Sequence, residues 1–194
     1  NIDVLIEGYY RAFQNKDDVR LILKTSLAEP KNSFECFVPK IIHSIQNKLR
    51  FTKYPSLTLV TERYDNMGSL YKGSDCLIST TGSEGFGLPM LEAMASETLV
   101  ASTCVTGHKD FISKKNAVII PSKKIKADKR HQYWRPSKGA KIYRPNIDDV
   151  SDIFSEVYNK KDELLSQRLN SMKETSIKYS WKRCAENILK EAGI

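Results

Sequence analysis

The stretch from residue 75 to residue 102 constrains the fold of this chain more than any other. Two strand-like runs, 75–80 and 98–102, enclose a glycine-rich stretch that leads into a proline and an apolar pattern of helical period. The order strand, glycine loop, helix, strand is typical of the parallel crossover unit of an α/β sheet. Because ligands bind such sheets at the carboxyl ends of the strands, the glycine loop is expected at a ligand site.

The glycine loop, residues 82–87, suits a phosphorylated sugar. Its three glycines are expected to allow positive φ and a close approach of a ligand to the main chain. Pro89 fits the first position of a helix, and the free N–H groups of a helix start favour a phosphate or diphosphate. Glu84 lies in the loop, within reach of a sugar hydroxyl or a developing charge. Glu92 lies in the helix, and its carboxylate suits the vicinal diol of a ribose because it accepts two hydroxyls.

The two glutamates have a simpler interpretation as well. Glu84 would cap the helix start, and Glu92 would be a solvated helix residue. The apolar positions Leu88, Leu91 and Met94 follow a helical period and predict the buried face of the helix. Glu92 lies beside that face, so we expect its carboxylate to have a partner.

The same stretch resembles the signature of a known enzyme family. Seven residues, Gly-Phe-Gly-Leu-Pro-Met-Leu, separate Glu84 from Glu92, and Ala-Met-Ala follows. This pattern resembles retaining GT-B glycosyltransferases of the glycogen synthase and mannosyltransferase type, the glycosyl transferases group 1. Three further segments, 70–75, 100–112 and 179–181, resemble other motifs of the family and occur in the family's order over nearly the whole chain.

The resemblance implies an α/β fold, a Rossmann-like parallel sheet with helices on both faces, as in the C-terminal half of a GT-B fold. Residues 1–194 would form a single nucleotide-sugar-binding domain, with a basic loop or insertion at 122–145 and C-terminal helices at 147–192. The N-terminal acceptor-binding domain would be missing from this sequence, together with two basic residues that hold the donor diphosphate in relatives. We therefore expect this part of the enzyme to be inactive by itself.

The resemblance also implies the reaction and the role of each site residue. The substrate would be a nucleotide diphosphate sugar, with no separate cofactor, and the sugar would be transferred with retention at the anomeric carbon. Glu84 would be the catalytic residue, which contacts the transferred sugar, and Glu92 would bind the nucleotide ribose. The phosphates would meet the backbone of Gly85, Phe86, Gly87 and Leu88. No metal is expected, since the sequence has no Asp-x-Asp motif.

Two other residues are candidates for contact with the donor. Tyr64 follows the predicted strand 57–60 and would stack on the nucleobase, or else pack on the surface. Thr80 ends the strand before the glycine loop and would line the sugar pocket, although polar residues at strand ends are as often turn residues. His108 follows a glycine near the expected cleft, and we predict that it is a surface residue. Trp181, at helical spacing, is predicted to lie in the core.

Composition limits the classes of protein that the chain can represent. Hydrophobic residues make up 40% of the sequence, and no apolar run approaches the roughly 20 residues of a membrane span. The four cysteines form no Cys-x-x-Cys pair, which favours a reduced, intracellular protein and makes metal binding improbable. We therefore expect a cytoplasmic protein, with peripheral attachment to a membrane as an alternative.

The net charge of +8 is concentrated in one segment. Residues 122–145 contain nine basic residues and one acidic residue, so the rest of the chain is neutral. The segment would attract an anionic acceptor or a membrane surface. Its tyrosines and tryptophan also make nucleic acid conceivable, although it is the less favoured partner. The simplest interpretation is a solvated loop.

Three functions remain to be compared. The order of the motifs favours the donor-binding domain of a retaining glycosyltransferase. The alternatives are a non-transferase GT-B relative, such as a sugar-nucleotide epimerase, and a basic nucleic-acid-binding module. A hydrolase with two carboxylates is disfavoured, because Glu84 and Glu92 are held on one loop and helix and not on opposite sides of a bond. Hydrophobic periodicity predicts strands at 19–23, 57–60, 75–80, 98–102 and 117–120, the last strand of the chain, and helices at 2–14, 38–53, 66–71 and 147–192.

Overall fold

The computed structural model describes residues 1–25, 37–127 and 139–193. Its elements, in chain order, are α1 (Ile2–Ala12), β1 (Arg20–Lys24), α2 (Phe37–Leu49), β2 (Ser56–Val60), α3 (Met67–Lys72), β3 (Cys76–Ser79), α4 (Leu88–Ala95), β4 (Leu99–Ser102), a 3-10 turn (Thr106–Asp110), β5 (Val118–Ile119), β6 (Ser122–Lys126), β7 (Lys141–Pro145), α5 (Ile147–Lys178) and α6 (Trp181–Glu191). In the described ranges, no helix is both long enough and apolar enough to cross a membrane.

The strands of the α/β part run parallel. β1 pairs with β2, and β4 lies between β3 and β5. Ser79 at the end of β3 is opposite Ser102 at the end of β4, so the carboxyl ends of these strands meet at one edge of the sheet. Parallel neighbours require a crossover connection, which α4 supplies between β3 and β4. The predicted fold class, a parallel α/β sheet with helices on both faces, is confirmed.

β4 separates two hydrophobic cores that the described residues form. All four of its residues are buried, and successive side chains point to opposite faces. Leu99 and Ala101 pack into the core that contains α1, whereas Val100 packs into the core that contains Met90 and Met94 of α4. This burial on both faces explains why the first three residues of the strand are all apolar.

The long helix α5 joins the two cores. Val150 and Phe154, near its start, pack with α1, whereas Met172, two turns from its end, lies in the core with α4. The backbone of Lys160 leaves the helical conformation, with φ −131°, and this break lets the two halves of α5 follow different faces. The helix therefore holds the glycine-loop side of the sheet against the N-terminal helix.

The basic segment differs from its prediction. Its two ends are the strands β6 and β7, which pair antiparallel with Ile125 opposite Ile142 and Lys124 opposite Tyr143. The prediction of a loop is therefore wrong for the two ends of 122–145, which are strands. The strand predicted at 117–120 is not the last strand of the chain, since β6 and β7 follow it. The alternation of lysine with half-buried isoleucine is the signal of a one-sided strand, but it is short and its partner is distant in sequence. Residues 128–138, including Tyr133 and Trp134, lie outside the described residues.

The end of the chain shows a second difference. Trp181, predicted to lie in the core, is 84% exposed, and no described residue of α6 is buried. Ile188 and Leu189 are exposed on the same helix. Helical spacing shows which side chains share a face, but it does not show what covers that face.

Candidate functional site

The glycine loop lies at the carboxyl edge of β3 and β4, where a second loop is bonded to it. The N–H of Thr103 donates to the carbonyl of Ser79 at 3.2 Å, and the Thr103 hydroxyl donates to the carbonyl of Thr81 at 2.8 Å. The residues after β4 therefore run beside the residues after β3. This pairing places the start of the 3-10 turn against Glu84.

Glu84 is held through its backbone. Its N–H donates to Oγ1 of Thr106 at 2.8 Å, and its carbonyl accepts from the N–H of Gly107 at 3.1 Å. The residue is half-buried. No described residue forms a hydrogen bond or ion pair with its carboxylate. The acidic group is therefore presented by a fixed backbone and remains available to a ligand.

Two glycines make this arrangement sterically feasible. A Cβ on Gly107 would lie 1.8 Å from the carbonyl oxygen of Gly85, so only glycine fits there. Gly87 has φ +95°, and a Cβ on it would lie 2.8 Å from Cβ of His108. Of the three loop glycines, which were expected from the sequence to allow positive φ, Gly87 is the one that adopts it.

His108 is fully buried beneath the loop, so its predicted surface position is wrong. Its Nε2 lies 2.5 Å from the carbonyl oxygen of Thr103, a distance at which the ring N–H donates. The N–H of Val105 lies 3.4 Å from the same nitrogen, which cannot accept while it carries the proton. Nδ1 is buried and has no hydrogen-bond partner among the described residues. The local sequence shows that His108 follows a glycine, but it does not show that Gly87 packs against His108 and buries it.

The start of α4 opens toward the loop. Gly87 is its N-cap, and Pro89 is the second helical residue, one position later than predicted. None of the hydrogen bonds among the described residues uses the backbone N–H groups of Phe86, Gly87 or Leu88. Free N–H groups at a helix start carry a partial positive charge. Phe86 anchors this start, because its ring lies 5.3 Å from Phe111 between ring centroids.

Glu92 has the partner that its position predicted. The hydroxyl of Tyr71, on α3, donates to Oε2 of Glu92 at 2.9 Å. Tyr71 is buried whereas Glu92 is exposed, so the phenol holds one carboxylate oxygen and leaves the other open. Burial raises the pKa of the Tyr71 phenol, and the neighbouring carboxylate raises it further. Tyr71 was not predicted as a site residue; its place on the buried face of a short helix was the available signal.

The other two predicted contacts occupy different environments. Tyr64 follows β2 and is 46% exposed, so its ring is accessible. Thr80 is buried, and its hydroxyl donates to the carbonyl of Asn1 at 3.1 Å. The side chain of Asn1 donates in return to the Thr80 carbonyl at 2.8 Å. The polar atoms of Thr80 therefore support the start of α1.

β7 is attached to the same loop. The N–H of Tyr143 donates to the carbonyl of Gly82 at 3.0 Å. The next residue, Arg144, forms a two-pronged ion pair with Asp3 at the start of α1. Burial raises the pKa of the Asp3 carboxyl, but the hydrogen bond and charge of Arg144 outweigh it, so the pKa is lowered overall. The basic strands thus lie beside the glycine loop.

Two surface hollows lie elsewhere on the molecule. One, of about 480 Å³, is lined by α2 residues such as Lys40 and His43. The other, of about 460 Å³, lies between Asn66, the N-cap of α3, and Glu97 after α4. Neither contains Glu84 or Glu92. Within the described ranges, no group of histidine, cysteine, aspartate and glutamate side chains is arranged to hold a metal ion.

Comparison with known proteins identifies relatives of this arrangement. Residues 44–131 match the family model "Glycosyl transferases group 1". A curated relative, "Uncharacterized glycosyltransferase 335" of Sulfolobus islandicus rod-shaped virus 1, is 30% identical over 115 residues. That match covers 56% of this chain and 31% of the relative, so the chain spans about a third of its length.

The predicted resemblance to glycosyl transferases group 1 is confirmed.

Solved structures of glycosyltransferases share the fold. Anabaena Alr3699/HepE in complex with UDP superimposes with a TM-score of 0.67 at 12% identity, over 97% of this chain and 44% of that one. The C-terminal domain of the glycosyl transferase group 1 family protein LpcC from Francisella tularensis gives 0.62 at 16% identity, over 92% and 78% of the two chains. These similarities show that the chain shares the α/β fold of a part of these GT-B glycosyltransferases. The group 1 segment, 44–131, contains Glu84, Glu92 and the turn that holds Glu84.

Proposed function

We propose that this chain is the donor-binding domain of a retaining glycosyltransferase, which moves a sugar from a nucleotide diphosphate sugar to an acceptor. The observation that carries the proposal is the arrangement around the loop. Glu84 and Glu92 flank a helix start whose N–H groups have no acceptor among the described residues. Structures related in fold support a nucleotide ligand, because HepE and the pneumococcal O-GlcNAc transferase GtfA were solved with UDP.

Each part of the site has a role in the proposed reaction. The backbone N–H groups of Phe86, Gly87 and Leu88 bind the phosphates, and their preorganised dipoles stabilise the departing diphosphate. Glu84 meets the transferred sugar and stabilises positive charge at its anomeric carbon. Glu92 binds the ribose with the carboxylate oxygen that Tyr71 leaves open. The proposed reaction needs no metal if backbone N–H groups and side-chain cations together neutralise the charge of the phosphates. Tyr64 is proposed to stack on the base.

The proposed partners follow from the same surface. The donor meets the open edge of the sheet, and an acceptor-binding domain is proposed to close over it. The exposed lysines of β6 and β7 lie beside the glycine loop through the Tyr143–Gly82 bond, so we propose that they face an anionic membrane surface or acceptor. This proposal corresponds to a cytoplasmic protein that associates peripherally with a membrane.

Titration with UDP and GDP tests the proposal. We expect one of them to bind, and Glu92→Gln to weaken binding about tenfold, equivalent to about 1.4 kcal/mol, because the ribose loses a charged acceptor. Glu97→Gln is the matched control, since Glu97 is exposed just beyond α4 and pairs with Lys173. A wild-type chain that binds neither nucleotide would refute the proposal, as would an equal effect of both substitutions.

The same titration separates the alternatives. We propose that these 194 residues bind a donor without transferring its sugar, so incubation with UDP-sugars should yield no transfer product. Salt-sensitive DNA binding without nucleotide binding would favour the nucleic-acid module. An epimerised sugar nucleotide as product would favour the epimerase.

A further inference from the structure

The turn after β4 holds both backbone polar groups of Glu84. The hydroxyl of Thr106 accepts from the Glu84 N–H at 2.8 Å, and the N–H of the next residue, Gly107, donates to the Glu84 carbonyl at 3.1 Å. Thr106 adopts φ +50°, the left-handed region, which a β-branched residue occupies only where its surroundings impose it. The observed conformation directs the Thr106 hydroxyl at Glu84.

The turn is itself tightly supported. His108 closes it from within through the bond from its ring to the Thr103 carbonyl at 2.5 Å. The close approach of Gly107 to Gly85 leaves no space for a Cβ on Gly107. Because the turn is supported in this way, its position is transmitted to Glu84 through the two bonds to the Glu84 backbone.

We propose that Thr106 is a positioning residue for Glu84. Its hydroxyl fixes the backbone from which the Glu84 carboxylate meets the transferred sugar. This inference rests on the proposed function and adds to it the residue that orients the acidic group. Thr106 acts through the Glu84 backbone, so it contributes to recognition of the sugar and not of the nucleotide.

Amide hydrogen exchange tests the structural half without a ligand. Thr106→Val removes the hydroxyl but keeps the β-branched shape, and Thr106→Ser keeps the hydroxyl. We expect the Glu84 amide to exchange about tenfold faster in Thr106→Val and at nearly the wild-type rate in Thr106→Ser. Thr175→Val is the matched control, because it removes a threonine hydroxyl hydrogen bond within α5, away from Glu84. An unchanged Glu84 exchange rate in Thr106→Val would overturn the proposal.

Binding of UDP and UDP-glucose tests the functional half. Thr106→Val should bind UDP as the wild type does, but the ratio of UDP-glucose to UDP affinity should fall about fivefold, with recovery in Thr106→Ser. UDP-GlcNAc is the second probe, measured in the same way. If Thr106→Val does not fold, Thr106→Gly replaces it, since glycine lacks the hydroxyl and tolerates φ +50°.

The outcomes distinguish the two proposals. A wild-type chain that binds no nucleotide refutes the proposed function, and with it the sugar-positioning role of Thr106. A wild-type chain that binds UDP and a UDP-sugar, with both affinities unchanged in Thr106→Val, overturns the positioning role alone. Equal loss of UDP and UDP-sugar binding also overturns it, because that result indicates general damage to the loop.

Discussion

At the scale of single residues, the site depends on hydrogen bonds between segments that are distant in sequence. Tyr71 illustrates this, because its buried hydroxyl reaches Glu92, 21 residues later. The backbone of Tyr71 is fixed by a second hydrogen bond, since the Thr98 hydroxyl donates to the Tyr71 carbonyl at 2.7 Å. Tyr71 therefore determines which oxygen of Glu92 faces a ligand.

Replacing Tyr71 with phenylalanine tests this dependence. Tyr71→Phe keeps the buried ring and the bond from Thr98 but frees the Glu92 carboxylate. We expect nucleotide affinity to fall about threefold to tenfold, with a loss of about 1 kcal/mol in the free energy of unfolding. Titration calorimetry and urea unfolding measure the two effects. Tyr158→Phe is the control, since it removes a hydroxyl bond to Asp18 away from the loop; equal affinity losses in the two variants would contradict the role of Tyr71.

The sequence predicted some of these residue contacts and not others. The position of Glu92 beside the apolar face of its helix indicated that it would have a partner, and that prediction is confirmed. The burial of His108 and the hydrogen bond between Thr106 and Glu84 depend on the contact between the loop after β3 and the loop after β4. These loops come together only when β3 and β4 pair. Hydrophobic periodicity along the sequence carries no information about contacts between two loops, so neither residue was predicted in its observed role.

At the scale of elements, burial on two faces made β4 predictable. The strands predicted at 75–80 and 98–102 correspond to β3 and β4, and β4, the central and fully buried strand of the two, has apolar residues at its first three positions. β6 and β7 lack this signal, since lysines occupy their exposed positions. Trp181 on α6 shows the complementary error, because its helical spacing predicts a core position whereas the side chain is exposed.

The paired strands β6 and β7, which we call the basic ribbon, have one distinctly charged face. Alternation places Lys124, Lys126, Lys141 and Tyr143 on the same side. Lys126 is directly opposite Lys141, and like charges in that position destabilise an antiparallel pair. An anionic partner would relieve this repulsion. Lys124 also lies over the Tyr143 ring, with its ammonium 5.7 Å from the ring centroid.

Sedimentation with lipid vesicles tests the ribbon as a membrane contact. Replacing Lys124, Lys126 and Lys141 together by glutamine should lower binding to vesicles that contain anionic lipid by about a hundredfold, at about 1 kcal/mol per lysine. Binding to neutral vesicles should be weak in all variants. The control removes the same charge from three exposed lysines elsewhere, Lys40, Lys114 and Lys115. Equal losses in the two triple variants would show that net charge, and not the ribbon, is responsible.

At the scale of the whole molecule, ion pairs connect α1 to three other elements. Glu7, buried on α1, accepts from Arg11 of its own helix and from Lys48 of α2. Arg11 also reaches Asp148 at the start of α5, and Asp3 pairs with Arg144 of β7. Helix α1 therefore contacts the rest of the fold through charges as well as through its apolar face.

These pairs should make the folded state sensitive to acid. Burial raises the pKa of Glu7, but its hydrogen bonds to Lys48 and Arg11 outweigh burial and lower the pKa overall, as Arg144 does for Asp3. A carboxyl group with a lower pKa in the folded state binds fewer protons there than in the unfolded chain. The contribution of such a carboxyl group to the free energy of unfolding is therefore fully present above its pKa in the unfolded chain, about 4. It is lost as the pH falls through its pKa in the folded protein.

Unfolding of Glu7→Gln across pH tests this linkage. At pH 7 we expect the substitution to cost about 1–3 kcal/mol in the free energy of unfolding, because Lys48 and Arg11 lose a charged acceptor. Below about pH 4 the difference from wild type should shrink, because the wild-type carboxyl is then protonated as well. Asp152→Asn, on an exposed residue of α5, is the control and should change stability little at either pH. A difference between Glu7→Gln and wild type that stays constant from pH 7 to pH 3 would mean that packing of the side chain, and not its charge, holds α1 in place.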